Sequence, residues 1–309
     1  MERKYSPQTM QQTHNIILER QNIRRYMEAE IEHISVSGST IAFRQFGRGE
    51  TIVFIHGFPT SGYTWRHILP TLSLKYHCIT LDLPGLGDST WTENTNFSSS
   101  SQAEYVIEVL NKKGIDWFSL VAHNSGATIA RIIAINEPER VKNLVIFNTE
   151  IPNHRPPWIP FYQKIGLLPF VQNLIQKLLQ QKWFIKSSMG FKELYFDKAM
   201  LDDEDNLPYY LTPFINSKQK TIGAFKYLQG IDWNIIDDFR TKHQQIKAKV
   251  LIIWGENDRT FPLKLAIEMK NQFGSICQFH VIKNASLLPH EEKPEQVCDL
   301  ITGFWGVSD

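Results

Sequence analysis

The sequence is poor in cysteine and carries almost no net charge. Its three cysteines, Cys78, Cys277 and Cys298, are scattered and form no CxxC pair, which argues against a disulfide framework and against a zinc site. The formal net charge is +1, which gives no long-range field to attract nucleic acid or an anionic membrane. These absences leave a small molecule as the expected partner, with no metal and no cofactor predicted.

Long apolar runs are also absent from the sequence. No stretch of about 18 apolar residues occurs, and the first residues, MERKYSPQTMQQTHN, lack the apolar run of about 7 to 15 residues that a secretory leader carries. We therefore expect neither a transmembrane span nor a signal peptide, and we predict a soluble, cytoplasmic protein.

Short apolar runs alternate with segments of helical periodicity along most of the chain. The runs read TIVFIHG, HCITLDLPG, WFSLVAH, NLVIFNT, KVLIIWG and CQFHVIKN. Runs of this length are typical of strands that are buried on both faces. The alternation predicts an α/β fold, in which a mostly parallel central sheet has helices on both faces and functional groups at the carboxyl ends of its strands.

An amphipathic helix is predicted before the main domain. Within residues 11–31, apolar side chains recur at helical spacing among charged ones, namely at Ile16, Ile23, Met27 and Ile31. We expect these side chains to pack the helix against the rest of the molecule. Residues 1–30 are therefore assigned to an N-terminal helical extension.

One long interval interrupts the alternation of strands and helices. Residues 152–235 are dense in aromatic side chains, and they begin with a Pro-rich connection, IPNHRPPWIP, which suits a chain that leaves one layer for another. We expect a helical cap here. The core is then one domain in two parts, residues 31–151 and 236–309, with the cap inserted between them.

The segment LVAHNSGATIA at residues 120–130 predicts a strained turn between a strand and a helix. Ala122 and Gly126 flank the central Asn124 at minus two and plus two, where larger side chains would collide with neighbouring backbone. This is the form of a nucleophile elbow, yet a carboxamide is a poor nucleophile. The sequence thus predicts the setting of a covalent catalyst without its usual reactive group.

Together with three further motifs, the elbow resembles the α/β-hydrolase fold, and most closely its haloalkane dehalogenase and epoxide hydrolase branch. These motifs are HGFPTSGYTWR, DLPGLGDS and WGENDR, in the order and spacing of the family. The resemblance implies that the backbone N–H groups of Phe58 and Ser125 form an oxyanion or ligand site, beside His56 at the start of its motif. It also implies an apolar cavity that is lined by Phe58 and roofed by aromatic residues of the cap, such as Trp158, Trp183 and Tyr210.

The same resemblance implies catalytic positions at Asn124, Asp258 and Leu287. In this branch an Asp at the elbow attacks carbon, a His activates water, and an acid orients the His. Asp258 follows KVLIIWG, where the family keeps its acid, and Glu150 follows NLVIFNT at a second position that some members use. The expected His is replaced by Leu287. Asn and Leu supply neither the anionic nucleophile nor the proton acceptor, so two of the three positions are chemically inert.

These positions leave three interpretations open. In the first, the chain is a pseudoenzyme that binds a small apolar molecule between core and cap. In the second, it catalyses a lyase, isomerase or cyclase type of reaction, in which Asn124 and Asp258 act without a covalent intermediate. In the third, a residual or relocated hydrolase activity toward a haloalkane, epoxide or ester uses another base such as His290, although relatives often carry a second, non-catalytic His at that position.

Overall fold

The computed structural model describes residues 7–166, 168–274 and 277–306, and within these ranges nine strands form one sheet. The strands are β1 (Glu32–Val36), β2 (Ser39–Phe46), β3 (Thr51–Ile55), β4 (His77–Leu81), β5 (Thr90–Trp91), β6 (Phe118–His123), β7 (Val141–Phe147), β8 (Lys249–Gly255) and β9 (Cys277–Ile282). Their order is β1-β2-β4-β3-β6-β7-β8-β9, with β5 paired to β2.

The sheet is parallel except at one edge. β2 pairs antiparallel with β1, β4 and β5, whereas the neighbours from β4 to β9 all pair parallel. This arrangement confirms the predicted α/β fold and its mostly parallel sheet. The apolar runs predicted the main strands, but no sequence pattern predicted β5, because a strand of two residues carries no periodicity.

Helices cover both faces of the sheet. Those of the core are α1 (Pro7–Glu28), α2 (Leu69–Leu72), α3 (Ser99–Lys112), α4 (Ser125–Asn136), α11 (Leu263–Lys270), α12 (Pro289–Glu292) and α13 (Pro294–Gly306). Successive residues of β3 alternate between two buried clusters. Val53 and Ile55 face the cluster that includes side chains of α3 and α4, and Ile52 and Phe54 face the one that includes side chains of α2 and α13. The strands are apolar on both faces because both faces are covered.

The predicted helical insertion is present between β7 and β8. Its helices, which we call the cap, are α5 (Trp158–Ile165), α6 (Pro169–Leu178), α7 (Lys182–Ile185), α8 (Leu207–Asn216), α9 (Lys218–Gln229) and α10 (Trp233–Lys242). The proposed boundary at residue 235 falls inside α10, so the return of the chain to the core is a continuous helix. The cap lies at the carboxyl ends of the strands, where the candidate site is found.

The N-terminal helix α1 packs on the core through Tyr26, which was not predicted, and through Ile23, which was. Ile16, Met27 and Ile31 are exposed, whereas Tyr26 is buried, with its ring 6.0 Å from that of Phe46. Of the predicted residues, Ile23 is partly buried and packs against the same cluster as Tyr26 and Phe46, as expected. For Ile16, Met27 and Ile31 the expectation is wrong. Helical spacing is compatible with several different buried faces of this helix. The face that contains Tyr26 is the buried one because its large ring supplies the most contact area. In the part of the chain that the structure describes, every helix is too short or too polar to cross a membrane.

Candidate active and ligand-binding site

Asn124 lies at a sharp turn between β6 and α4. Its φ of 50° is in the left-handed region, which a residue other than glycine adopts only when its surroundings hold it there. Two glycines make the turn possible because they lack side chains. A Cβ on Gly126 would lie 2.2 Å from the carbonyl oxygen of His56, and a Cβ on Gly57 would lie 2.6 Å from the Cβ of Asn124.

The two backbone donors predicted for an oxyanion site are occupied by side chains of the elbow itself. The N–H of Ser125 donates to Asn124 Oδ1 at 2.5 Å, and the N–H of Phe58 donates to Ser125 Oγ at 3.2 Å. Ser125 Oγ also shares a hydrogen bond of 2.9 Å with the hydroxyl of Tyr227 in the cap. A ligand oxygen that used either donor would first have to displace a side-chain oxygen of the chain.

Asp258 lies just after β8 and is held by three hydrogen-bond donors. Asn148 Nδ2 donates to its Oδ2 at 2.8 Å, and the N–H groups of Thr260 and Phe261 donate to its Oδ1 at 2.7 and 3.1 Å. Burial raises the pKa of the Asp258 carboxyl to about 7, although these hydrogen bonds oppose the rise. Among the described residues, no histidine is hydrogen-bonded to Asp258, so the acid orients no base.

Asn148 links the elbow to Asp258. Its carbonyl oxygen accepts the N–H of Asn124 at 2.8 Å, while its side-chain amide donates to Asp258 and accepts the N–H of Gly255 at 2.8 Å. Asn124 and Asp258 are therefore each hydrogen-bonded to the same residue at the end of β7. Asn148 is buried and fully used in this bridge, which makes it a structural link rather than a ligand contact.

Leu287 is buried in the loop that follows β9. The preceding Ser286 fixes this loop, since its N–H donates to Glu292 Oε2 at 2.6 Å and its Oγ donates to the carbonyl oxygen of Glu193 at 2.7 Å. Leu287 lines an apolar cavity between the core and the cap. At the position where the resemblance implies a base, an aliphatic side chain therefore forms part of the cavity wall.

The apolar cavity lies between core and cap and offers about 100 Å³ to the centre of a water-sized sphere. Phe58, Thr260 and Leu287 of the core line it, together with side chains of α5 to α9 such as Trp158, Phe184, Leu211 and Phe225. Of the candidate residues, Phe58, Trp158 and Leu287 thus line the cavity. Asn124, Ser125 and His56 are not among the described residues that do so, and all three are buried.

Two aromatic residues expected in the cavity roof lie elsewhere. Trp183 is exposed. Tyr210 is buried in a polar cluster, where its hydroxyl donates to Glu291 Oε1 at 2.6 Å and accepts from Arg66 Nη1 at 3.2 Å. Neither residue is among the described residues that line the apolar cavity, so the expectation that both roof it is wrong. An aromatic composition predicts an apolar contact surface, but the hydroxyl of a buried Tyr requires partners, and the Arg66–Glu291 ion pair supplies them.

The histidines near the elbow have structural partners. His56 Nε2 accepts the N–H of Leu83 at 2.9 Å, and His123 Nε2 accepts the N–H of Gly57 at 3.2 Å. His290 Nε2 is 2.7 Å from Thr64 Oγ1. Burial lowers the pKa of all three rings. His290 stacks on Trp65 at 4.4 Å behind the elbow, and this position does not suit a base that acts in the cavity.

Glu150, the second candidate acid, is fully buried at the end of the turn after β7. Its Oε2 accepts from the hydroxyls of Thr128 and Thr149 at 2.9 and 3.0 Å, and burial raises the pKa of its carboxyl. Among the described residues it has no histidine partner either. Glu150 thus links α4 to the segment that follows β7, and it does not line the apolar cavity.

Sequence reasoning missed Glu193 and Tyr227. Glu193 is the carboxylate among the described residues that line the apolar cavity, and its side chain is 28% exposed, 3.8 Å from Arg259. Tyr227 brings a cap hydroxyl to Ser125. One signal for Glu193 was available, since it is the first acidic residue after Glu150 in the chain. Nothing in the sequence distinguished Tyr227 from the other cap aromatics.

Comparison with known proteins shows which family the chain resembles. The family model described as "alpha/beta hydrolase fold" matches residues 50–294. The chain is 34% identical to an epoxide hydrolase 3 of Siraitia grosvenorii in an alignment that covers 87% of this chain and 96% of that protein. It is 25% identical over 279 residues to a protein of Bacillus subtilis named uncharacterized hydrolase YugF, with 89% and 97% covered.

A solved structure shows the same fold. The haloalkane dehalogenase DbeA of Bradyrhizobium elkani superposes with a TM-score of 0.70 at 21% identity, over 91% of this chain and all of that one. These likenesses confirm the expected branch in its coarser form, as similarity to epoxide hydrolases and haloalkane dehalogenases at low identity. They do not show which chemistry Asn124 and Leu287 support.

Proposed function

The chain belongs to the α/β-hydrolase fold family, and we propose that it binds a small apolar molecule in the apolar cavity without forming a covalent intermediate at the elbow. The observation that carries this proposal is the cavity itself, whose walls are apolar side chains of both core and cap. Burial of apolar surface contributes roughly 25 cal/mol per Å². After the cost of immobilising the ligand, an affinity on the order of micromolar is expected for a molecule of about ten carbons.

The groups at the elbow support the absence of a covalent step. Asn124 has no anionic oxygen to attack carbon, and Leu287 cannot accept a proton from water. Removing a catalytic triad lowers the rate by about 10⁶-fold. Among the described residues Asn124 Nδ2 has no hydrogen-bond partner, so it could donate to a carbonyl or ether oxygen in a non-hydrolytic reaction. Because Asn124 does not line the apolar cavity, such a reaction requires a ligand group that extends beyond the cavity lining.

Hydrolysis is a second candidate function, and the names of the relatives favour it over a loss of catalysis. The relatives from Siraitia grosvenorii and Bacillus subtilis are both named hydrolases. Hydrolysis here would need a base other than the elbow pair. Glu193 is the better candidate than His290, because its carboxylate lines the cavity while the His290 ring is buried behind the elbow.

Native mass spectrometry of the purified chain and thermal shift with an apolar library test the binding proposal. We expect a retained or added apolar molecule to raise the melting temperature, with no turnover of haloalkanes, epoxides or esters. If no library member binds, the proposal is wrong.

Turnover separates the second candidate from the first. If turnover occurs and is lost in Glu193→Gln but kept in Glu256→Gln, hydrolysis through Glu193 replaces the first proposal. Glu256 is the matched control because it is an exposed carboxylate outside the apolar cavity.

A further inference from the structure

The cap contains a long segment without a single acidic residue. Residues 151–192 include five lysines and Arg155 but no Asp or Glu. The formal net charge of +1 for the whole chain therefore conceals a strongly basic segment. Because the Debye length is only about 8 Å at physiological ionic strength, the local charge of this surface, rather than the total, governs what approaches it.

Part of this positive charge is unpaired. Lys182 and Lys186 lie 3.9 and 2.6 Å from the carboxylate of Asp202 and are partly neutralised. In contrast, Lys164 on α5 and Lys177 on α6 are exposed and have no ion-pair partner among the described residues. Positive charge therefore remains on the outer side of both helices, where it can meet an anionic partner.

The same segment exposes large apolar side chains. Trp183 and Phe170 are each 66% exposed. On α6, Phe170, Leu174 and Lys177 follow one another at spacings of four and three residues, which places them on one stripe of the helix. Ile175 lies off this stripe and lines the apolar cavity. Helix α6 thus has one apolar face toward the cavity. Its exposed face is also apolar but ends in the basic Lys177.

Several of these exposed side chains border the mouth of the apolar cavity. Met189 is 44% exposed and also lines the cavity. Phe161 packs beside Tyr162 with 5.5 Å between ring centroids, and the Tyr162 hydroxyl donates to the carbonyl oxygen of Met189 at 2.8 Å. Trp183 lies 6.0 Å from Phe184, which lines the cavity. Phe161, Trp183 and Met189 therefore lie at or next to the cavity lining, and Phe170 lies on α6, whose Ile175 also lines the cavity.

We propose that this surface docks on the face of an anionic lipid bilayer. We call it the mouth surface and define it by Phe161, Lys164, Phe170, Lys177, Trp183 and Met189. Its lysines would meet anionic headgroups while its aromatic and methionine side chains enter the boundary between headgroups and acyl chains. An apolar molecule dissolved in the bilayer then reaches the cavity without crossing water. The proposal rests on exposure and charge, and it does not depend on the chemistry assigned to the cavity.

Flotation of the full chain with vesicles tests the docking. The vesicles contain phosphatidylcholine alone or equal parts of phosphatidylcholine and phosphatidylglycerol. We expect binding to the mixed vesicles that weakens as salt is added, and little binding to phosphatidylcholine alone. Lys164→Glu combined with Lys177→Glu should lower the partition coefficient about tenfold or more, since each basic residue near an anionic surface contributes about fivefold.

Matched variants separate the mouth surface from unspecific adsorption. Trp183→Ala should lower binding to the mixed vesicles about threefold or more. Trp117→Ala should leave binding unchanged, because Trp117 is similarly exposed, at 64%, but lies outside the cap, between α3 and β6. Lys75→Glu combined with Lys283→Glu, two exposed lysines outside the cap, is the control for charge. Equal losses in test and control variants would overturn the proposal.

A second copy of the chain is the competing occupant of the mouth surface. Sedimentation velocity decides between the two. We expect the chain to sediment as the same species with and without Trp183→Ala. A dimer that dissociates in Trp183→Ala, together with no binding to the mixed vesicles, would show that the surface is an interface between copies and would overturn the membrane proposal.

Discussion

The backbone N–H of Phe58 donates to the side-chain oxygen of Ser125 at 3.2 Å, across 67 positions of the chain. The Ser125 hydroxyl thus occupies the position from which a ligand oxygen would accept a hydrogen bond from the Phe58 N–H. The hydroxyl is held there by Tyr227 from the cap. The elbow is therefore complete in its backbone geometry, while its donors are already satisfied within the protein.

Replacing Ser125 with Ala should strengthen the binding of ligands that carry an oxygen acceptor. The change frees the N–H of Phe58, and one hydrogen bond contributes roughly 0.5 to 1.5 kcal/mol. Isothermal titration calorimetry with an apolar alcohol or ketone measures the gain. Ser286→Ala is the matched control, because its hydroxyl donates to the carbonyl oxygen of Glu193 instead. Weaker or unchanged binding in Ser125→Ala would show that ligands do not use this donor.

Combining Asn124→Asp with Leu287→His should produce hydrolysis of an epoxide, haloalkane or ester. The first change supplies a carboxylate at the turn, and the second places an imidazole in the loop beside Thr260 and Asp258. Steady-state assays of the double variant and of each single variant measure the effect. We expect activity in the double variant alone. If it remains inactive while folded, the cavity or the occupied donors, and not only these two residues, prevent hydrolysis.

The contribution of Asp258 to stability should fall as pH rises. Its carboxyl has an ordinary pKa of 3.8 in the unfolded chain and of about 7 in the folded one. Between these values the folded chain keeps a proton that the unfolded chain has released, so rising pH favours unfolding. The free energy of unfolding of the wild type, relative to Asp258→Asn, should decrease by roughly 1 to 4 kcal/mol between pH 4 and 7.

Urea unfolding of both proteins across this pH range measures the difference. The asparagine variant is suitable because it removes the titration while keeping the size of the side chain, although it exchanges one oxygen acceptor for a donor. A constant difference between the two proteins over this range would show that Asp258 is ionised in the folded chain.

Tyr210→Phe should lower stability without affecting ligand binding. The hydroxyl of Tyr210 accepts from Arg66 and donates to Glu291 in a buried ion pair. Its loss leaves charged groups short of a hydrogen bond, which costs about 1 to 3 kcal/mol. Tyr209→Phe is the control, because the one hydrogen bond of the Tyr209 hydroxyl among the described residues is a weak one to Met27 Sδ, at 3.6 Å. A loss of ligand affinity in Tyr210→Phe at unchanged stability would return Tyr210 to the ligand site.

The local sequence was sufficient for the layers of the fold and for the turn at the elbow. Apolar runs of strand length mark the strands because burial on both faces requires apolar side chains at every position. Gly126 and the neighbouring small residues mark the sharp turn because close backbone approach excludes a Cβ. The proposed replacement of a nucleophile by Asn124 and of a base by Leu287 likewise rests on residue identity, so both positions could be named before any coordinates.

Only the tertiary structure decided which side chains meet in space. The sequence did not show that Ser125 fills the donor of Phe58, that Tyr210 serves the Arg66–Glu291 pair, or that Glu193 lines the cavity. Each of these contacts joins the core to a cap segment or joins two distant core loops, and periodicity carries no information about such pairings. The sequence by itself therefore determined the fold and the identities of the residues at the elbow and in the loop after β9. The three-dimensional packing of the cap on the core determined the cavity, because a cavity is formed by residues that are far apart in the chain.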